Sequence, residues 1–208
     1  MSEENSLEDI KKFWPKDAPN ANNVPRYVKK YKKDLIVIKY GGNVLIDRKI
    51  FNNFIQDISI LNKLGLSIVV VHGGGPRIER ELKKGNIESK FINGLRVTDK
   101  NVINIVEKVL IDFNNDIVKS LNKVGSKAVS IHTKINNVIS VVPDKPELGF
   151  VGVPKEINIE VIKNIIGQKQ IPIVAPLGLN KNQQTYNING DTAASAIAKK
   201  LKSRRLLL

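Results

Sequence analysis

Short apolar runs rich in β-branched residues alternate along this chain with segments whose apolar residues recur at helical spacing. The runs at 35–39, 66–72 and 171–175 are nearly continuous in Ile, Val and Leu, as in strands that are covered on both faces. The segment 47–64 has apolar residues three and four positions apart, which is the helical pattern. Strands that alternate with helices pair in parallel through right-handed crossovers. The sequence therefore predicts an α/β fold, a three-layer αβα sandwich with a mainly parallel central sheet.

Weaker signals extend this alternation along the rest of the chain. Further helices are predicted at 25–31, 76–84, 99–121 with an interruption near 112–115, 157–166 and 190–201. Asn136-Asn137 lies between two apolar runs, and we expect a hairpin that pairs 128–131 with 138–142. Pro76 stands in the first turn of its helix, where its missing N–H costs nothing.

The two ends of the chain differ from the part between them. Residues 1–24 contain Trp14-Pro15 and an Asn-rich stretch, and they predict an N-terminal arm with one short helix at 6–13. Residues 25–208 predict one domain. The final residues, 204–208, have the pattern of a further strand, and a parallel sheet would follow such a strand with a crossover. We therefore expect a domain that is truncated at its C-terminus.

Composition argues against several classes of protein. There is no cysteine, and the two histidines are too few for a His-rich metal centre. The apolar runs are too short to cross a bilayer and the first residues are polar and acidic, so we expect a cytoplasmic protein without a membrane partner. The net charge of +14 could indicate nucleic-acid binding, but the lysines are scattered and only 5% of the residues are aromatic. A bias towards Lys, Asn and Ile, whose codons are A/T-rich, explains the charge, and we expect no nucleic-acid partner.

Two glycine-rich turns follow predicted strands. Lys39 ends the first strand and precedes Gly41 and Gly42, at the edge of the sheet where open α/β folds bind ligands. The second turn, 73–75, runs from a buried strand into the helix that begins near Pro76. Glycine amides and the positive end of a helix dipole can together hold an anion. An ordinary strand-ending turn and a flexible linker are the alternatives.

Two further clusters precede predicted helices. Arg96 follows a Gly turn, and its guanidinium suits a substrate carboxylate, although a lone arginine is more often a solvated charge. Asn187 and Asn189 point to the same side if their segment is extended, and Asp191 lies in the first turn of the last predicted helix. Simple helix capping by Asn189 or Asp191 is the alternative.

Together, six segments resemble the acetylglutamate kinases, within the amino-acid kinase superfamily: IVIKYGGN, VVVHGGGP, NGLRVTD, LGFVGVP, IPIVAPLG and YNINGDTAA. The resemblance runs from about residue 25 to residue 208. It implies that ATP, with Mg²⁺, donates a phosphoryl group to the γ-carboxylate of N-acetyl-L-glutamate, an early step of arginine biosynthesis. It also implies a homo-oligomer, either a dimer or a hexamer.

The resemblance assigns roles on the phosphoryl side of the site. Lys39 would neutralise charge on the transferring phosphoryl group, and Asp191 would hold the catalytic lysines in place. The phosphoryl-binding loops would contain Gly41, Gly42 and Gly73. Such a set suits phosphoryl transfer, which depends on fixed donors and cations around the phosphoryl oxygens.

The resemblance assigns four residues to the substrate side. Gly74 and Gly75 would line the substrate position, and the amide of Gly74, like that of Gly42, would also donate to the phosphoryl group. Arg96 would bind the α-carboxylate of the substrate, and Asn187 would form a hydrogen bond with the substrate.

Parts of the family pattern have no counterpart in this sequence. The second catalytic lysine and the ATP-binding segments of the family lie beyond residue 208, so we expect the nucleotide lobe to be largely absent and the activity of the chain alone to be low. The segment 130–135 replaces a Gly-containing segment, Asn115-Asp116 stands where Asn-Lys is usual, and Gly190 replaces the usual Ala. The N-terminal arm resembles the extra helix of arginine-inhibited, hexameric members.

Three other interpretations stay open at this stage. The chain could belong to a kinase for another small acid, or it could be a non-catalytic module that binds an amino acid, or serves assembly, without ATP. A nucleic-acid binder is the third.

Overall fold

The structure, a computed structural model, describes residues 20–31, 34–41 and 47–208. The short helix predicted at 6–13 and most of the predicted arm lie outside the described residues. The helices are α1 (Val24–Tyr31), α2 (Arg48–Lys63), α3 (Gly75–Lys84), α4 (Lys100–Lys123), α5 (Ile159–Gly167) and α6 (Gly190–Leu201). The strands are β1 (Leu35–Tyr40), β2 (Ser67–His72), β3 (Phe91–Ile92), β4 (Leu95–Arg96), β5 (Ala128–Ile131), β6 (Ile139–Pro143), β7 (Gly152–Ile157), β8 (Ile171–Val174), β9 (Leu177–Leu179), β10 (Thr185–Asn187) and β11 (Arg205–Leu207).

The central sheet has five strands in the order β11-β1-β2-β8-β5, and all its neighbouring strands are parallel. β1 and β2 are in register along their whole length, from Leu35 beside Ser67 to Tyr40 beside His72. The predicted strand near the end of the chain is confirmed as β11, which pairs with β1. The parallel pairing follows from the helices between the strands, because a parallel connection has to return the chain to the same edge of the sheet.

Helices cover both faces of this sheet. On one face, α2 and α4 pack on β2 and β8, and the buried side chains include Ile55, Ile58, Val70, Phe113, Ile117, Leu121 and Ile173. On the other face, α5 and α6 pack on β1 and β2, and the buried side chains include Val37, Val69, Val71, Ile162, Ala194 and Ile197. The predicted three-layer αβα architecture is confirmed. The small residues of α6 explain why its alanine-rich face can lie close to the strands.

A second sheet was not predicted. It has four strands in the order β10-β9-β6-β7, with mixed parallel and antiparallel pairs. The predicted hairpin of 128–131 with 138–142 is wrong, because β5 pairs in parallel with β8 in the central sheet and β6 belongs to the second sheet. Between the two segments, His132 and Ile135 form an isolated antiparallel bridge. Ala128 and Ile131 pack into the cores on opposite faces of the central sheet, as expected for a strand that has helices on both sides.

The long helix α4 is continuous, so the predicted interruption near 112–115 is wrong. Asp99 caps its first turn, where Oδ1 accepts hydrogen bonds from the amides of Asn101 and Val102. Among the polar residues in its middle, Asp112 pairs with Lys108 on the exposed face. Across the described ranges, no helix has the length and apolar character needed to span a membrane.

Candidate functional site

Two glycine-rich turns leave neighbouring strands at the same height. Tyr40 and His72 are register partners at the carboxyl ends of β1 and β2, so the segments that follow them start side by side. The amide of Gly73 donates to the carbonyl of Tyr40 at 2.6 Å and joins the two turns. The two turns therefore start next to each other at the carboxyl edge of the sheet, in the part that the structure describes, which includes Gly41.

A cleft of about 230 Å³ lies at this edge. Every predicted site residue that the structure describes lines it: Lys39, Gly41, Gly73, Gly74, Gly75, Arg96, Asn187 and Asp191. Gly42 lies outside the described residues. The segments brought together are the ends of β1 and β2, the first turns of α3 and α6, the β3–β4 hairpin and the end of β10. The roles assigned to these residues in phosphoryl and substrate binding stay predictions.

Lys39 forms an ion pair at one end of the cleft. Its Nζ lies 2.8 Å from Oδ1 of Asp191, and the two side chains are 21% and 54% exposed. Asp191 is in the first turn of α6, and Asn189 caps that helix by accepting hydrogen bonds from the amides of Asp191 and Thr192. The alternative of simple capping is thus confirmed for Asn189, while the Asp191 carboxylate is directed at the lysine. The ammonium is held at the carboxyl end of β1 and remains partly open to the cleft.

The first turn of α3 differs from that of α6. Its cap residue is Gly74, which has no side chain to accept hydrogen bonds, and Pro76 occupies the first turn. The first N–H groups of an α-helix have no acceptor within the helix. Their partial positive charge adds to that of the helix dipole, so a glycine-capped helix start offers amides to an anion. This helix start lines the same cleft as Lys39.

A tight hairpin places Arg96 at the other side of the cleft. Asn93 and Gly94 have φ angles of +49° and +79°, which is the pair of left-handed residues that a type I′ turn requires. The turn makes Phe91 the register partner of Arg96, and the guanidinium lies 4.6 Å from the centre of the Phe91 ring. Arg96 is only 9% exposed, so the alternative of a solvated charge does not hold.

Glu79 and Ser89 hold the guanidinium of Arg96 in place. Nη1 donates to Oε2 of Glu79 at 3.1 Å and also contacts the hydroxyl of Ser89, which itself donates to the same carboxylate at 2.6 Å. Hydrogen bonds from Ser89 and then Arg96 hold the pKa of Glu79 below its ordinary value. Nη2 lies 3.5 Å from the carbonyl of Gly75. Arginine has five N–H donors in a planar fork, so this arrangement orients the fork and leaves donors for a carboxylate.

Asn187 is tied to the segment that carries Arg96. Its Nδ2 donates to Oγ1 of Thr98 at 3.3 Å, and that hydroxyl donates to the carbonyl of Arg96 at 2.8 Å. Its own amide donates to the carbonyl of Phe150. A side-chain amide also has an oxygen acceptor, so Asn187 can hydrogen-bond a ligand that offers an N–H.

Several residues that shape the site were not found from the sequence. Glu79, Ser89 and Thr98 position Arg96 and Asn187, and a buried pair, His72 and Asn114, lies beneath the second glycine turn. A signal existed for His72, because a histidine that ends an almost wholly apolar strand has to be buried. The partners of Arg96 had no such signal, since their approach depends on how the hairpin packs on α3.

In the described parts of the chain, no group of three or more His, Cys, Asp or Glu residues is arranged to hold a metal ion. Among the described residues that line the cleft, the acidic side chain is Asp191, which pairs with Lys39.

The model of the amino acid kinase family matches residues 34–208. The acetylglutamate kinase of Pelagibacter ubique is 51% identical over 201 residues, which are 97% of this chain and 70% of that protein. The acetylglutamate kinase of Caldanaerobacter subterraneus is 44% identical over 185 residues, or 88% of this chain and 62% of that protein.

Solved structures agree with this relationship. The crystal structure of smu.665 from Streptococcus mutans UA159 is 34% identical, has a TM-score of 0.74, and is matched over 84% of this chain and 71% of that chain. The N-acetylglutamate synthase of Neisseria gonorrhoeae with coenzyme A and N-acetyl-glutamate has a TM-score of 0.78 at 21% identity, over 89% of this chain and 43% of that chain, and it supports the fold alone. The identities and the coverage place this chain among the acetylglutamate kinases of the amino acid kinase family.

Proposed function

We propose that the cleft binds N-acetyl-L-glutamate and that the site serves transfer of a phosphoryl group from ATP to its γ-carboxylate. The observation that carries the proposal is the convergence of a lysine ammonium, a glycine-capped helix start and a buried arginine on one cleft. The names of the Pelagibacter and Caldanaerobacter relatives support the same reaction.

The phosphoryl end of the proposed site lies between Lys39 and the start of α3. Phosphoryl transfer needs positioning and electrostatic stabilisation more than covalent chemistry, because charge is spread over the oxygens of the transferring group. The ammonium of Lys39 and the amides of the Gly74 turn would act on those oxygens. Asp191 keeps the ammonium at the cleft through its 2.8 Å contact.

The substrate end of the proposed site is formed by Arg96 and Asn187. The guanidinium would bind the α-carboxylate, and Asn187 would hydrogen-bond the acetylamino group. The cleft volume of about 230 Å³ is below the roughly 300 Å³ at which pockets for drug-sized ligands begin. A small acid is therefore a better match than a large ligand.

The described residues fit the anionic end of ATP. Lys39 and the amides at the start of α3 would hold its terminal phosphoryl group, and ATP would supply that group with Mg²⁺ bound to its phosphates. Because one carboxylate alone borders this end of the cleft in the described chain, the proposed Mg²⁺ would depend on the nucleotide for most of its ligands.

The proposed site is the acceptor half of the reaction. The matched part is 70% of the Pelagibacter protein, and the resemblance assigns the nucleotide-binding segments to residues outside these 208. We propose that a polypeptide of these residues binds the acceptor but has little kinase turnover. We also propose a homo-oligomer, a dimer or a hexamer, which light scattering after size-exclusion chromatography would test.

Calorimetry with separate ligands tests the function. We expect the 208-residue protein to bind N-acetyl-L-glutamate and to bind ATP weakly or not at all. Arg96→Lys, which replaces the planar fork with a point charge, should weaken acetylglutamate binding by about tenfold or more. Lys108→Met, at an exposed lysine paired with Asp112, is the control and should leave binding unchanged.

The other outcomes point elsewhere. Binding of a different small acid in place of acetylglutamate would indicate another substrate, and salt-sensitive retention on DNA would favour a nucleic-acid binder. A turnover rate of roughly 1–100 s⁻¹ in an ADP-release assay, which is usual for kinases, would overturn the expectation of low turnover.

A further inference from the structure

A polar pair lies in the core directly beneath the glycine turn that precedes α3. His72 and Asn114 both have no exposed surface. Nδ1 of His72 lies 2.8 Å from the carbonyl oxygen of Gly73, and Nε2 lies 3.1 Å from Nδ2 of Asn114. The same Nδ2 donates to the carbonyl of Ile173 on β8 at 2.9 Å. The pair thus connects α4 and the central sheet to the turn that lines the cleft.

The partners determine which nitrogen of His72 carries the proton. The carbonyl of Ile173 can only accept, so the atom of Asn114 that faces it is the NH₂ group. The second hydrogen of that group is then directed to Nε2, which has to accept. The proton of a neutral imidazole therefore sits on Nδ1, and Nδ1 donates to the carbonyl of Gly73. Burial, the largest cause, lowers the pKa of His72 to about 4, so the ring is neutral near pH 7.

Fixing the carbonyl of Gly73 also fixes the amide of Gly74. The two groups belong to one planar trans peptide, in which C=O and N–H point in opposite directions. A carbonyl that is held towards His72 therefore directs the N–H of Gly74 away from His72, and Gly74 itself lines the cleft. The preceding peptide is fixed as well, because the amide of Gly73 donates to Tyr40.

Such anchoring matters because the turn consists of three consecutive glycines. Glycine populates more backbone conformations than any other residue, and an unanchored turn would present its amides in many directions. A donor that is aligned before the ligand arrives needs no reorganisation when charge develops. Packing alone does not explain this pair. Two apolar side chains would fill the same space without the energetic cost of Oδ1 of Asn114, which is buried and has no hydrogen-bond partner within the described chain.

We propose that His72 and Asn114 are positioning residues: the Nδ1–H of His72, set by Asn114, orients the peptide between Gly73 and Gly74 so that the Gly74 amide faces the γ-carboxylate end of the ligand. This inference rests on the proposed function of the cleft and adds two residues that do not line it.

Calorimetry with two ligands separates positioning from a general structural effect. The ligands are N-acetyl-L-glutamate and N-acetyl-L-norvaline, in which a methyl group replaces the γ-carboxylate. In His72→Leu, we expect binding of acetylglutamate to weaken by roughly tenfold, the cost of losing one hydrogen bond to a charged group, while binding of the norvaline ligand stays unchanged. His72→Asn, whose side-chain amide can place an N–H near the position of Nδ1, should retain most of the affinity.

The control variant is Ser126→Ala. It removes a buried hydrogen bond of 2.8 Å to Ser59, next to the start of β5 and at the opposite edge of the sheet from the cleft. This control should leave the binding of both ligands unchanged. Equal weakening of both ligands in His72→Leu, or unchanged binding of acetylglutamate, overturns the inference.

A second measurement does not depend on any variant. The ¹⁵N spectrum of the imidazole in the wild-type protein should show a protonated Nδ1 and an unprotonated Nε2 for His72, and the reverse assignment overturns the inference even where ligand binding is normal. If the wild-type protein fails to bind acetylglutamate, the proposed function fails first and the inference fails with it. The two failures are therefore distinguishable.

Discussion

Gly74 and Gly75 are adjacent, yet an added methyl group should act on them in opposite ways. Gly74 has a φ angle of −167°, outside the left-handed region that favours glycine over residues with a Cβ. A Cβ at Gly74 would lie 2.5 Å from Cδ2 of Leu110. A Cβ at Gly75 would have no heavy atom within 4 Å. The two positions therefore form a matched pair for the effect of packing alone.

The magnitude for Gly74→Ala follows from the space that Leu110 can give up. Carbon atoms attract one another best at about 3.5–4.0 Å, so the two groups have to separate by about 1 Å. Leu110 is 1% exposed and packs among Ile78 and Leu82, so its side chain cannot swing into solvent. Overpacking of this kind costs about 1–3 kcal/mol, and we expect about 2 kcal/mol here.

Urea unfolding of both single variants and of one double variant tests this reasoning. Gly74→Ala should lower the free energy of unfolding by about 2 kcal/mol with an unchanged slope, since a changed slope would mean a different unfolded or native state. Gly75→Ala should leave stability unchanged or raise it slightly, because Ala favours the helix over Gly by up to about 1 kcal/mol. In a Leu110→Ala background the cost of Gly74→Ala should disappear, because the clashing methyl group is absent. Equal stability of the two single variants, or additive effects in the double variant, would refute the argument.

Three further predictions concern the charged groups. Asp191→Asn should change the free energy of unfolding by no more than about 1 kcal/mol, because its ion pair with Lys39 is partly exposed, and a larger loss in urea unfolding would contradict this. Glu79→Gln should lower the free energy of unfolding by about 1–2 kcal/mol, because it removes the countercharge of the buried Arg96. The increase in melting temperature on adding acetylglutamate should be larger in this variant than in the wild-type protein, and a smaller increase would contradict the prediction. Burial lowers the pKa of His72 to about 4 in the folded protein, against 6.5 in the unfolded chain. The neutral ring therefore contributes to the free energy of unfolding above pH 6.5, and this contribution is lost as the pH falls to about 4. Between pH 7 and pH 4 this loss should be roughly 3 kcal/mol, and it should be absent in His72→Asn. Equal losses in the two proteins over this range would disprove the prediction.

The central sheet could be predicted because its strands have a strong local signal. The runs that became β1, β2 and β8 are almost wholly apolar, and Pro76 and Asn189 mark the starts of α3 and α6. The second sheet had no comparable signal. β9 and β10 have three residues each and pair with each other. They join the sheet through one register pair between β9 and the distant strand β6, so the tertiary structure rather than local propensity makes them strands.

The candidate site shows the same division. Its glycine turns and Lys39 could be predicted because the carboxyl ends of parallel strands meet at one edge of the sheet. The partners of Arg96 could not, because Glu79 reaches it from α3 across a hairpin whose packing the sequence does not specify. His132 is also buried. The low number of histidines in the sequence argues against a metal site, but it does not indicate that His132 lies in the interior.

Among the described residues, each end of the cleft has one cation held by one acidic side chain, and the two pairs differ in a way that suits the proposed reaction. Arg96 is nearly buried, its fork is oriented by Glu79 from one side, and its fixed planar geometry suits a carboxylate that only has to be bound. Lys39 is more exposed, has a flexible stem, and forms an ion pair with Asp191. An ammonium of this kind can follow oxygens whose positions and charges change as a phosphoryl group is transferred. In the proposed complex, the more rigid cation would bind the carboxylate that keeps its charge, and the more flexible one would face the oxygens whose charge changes.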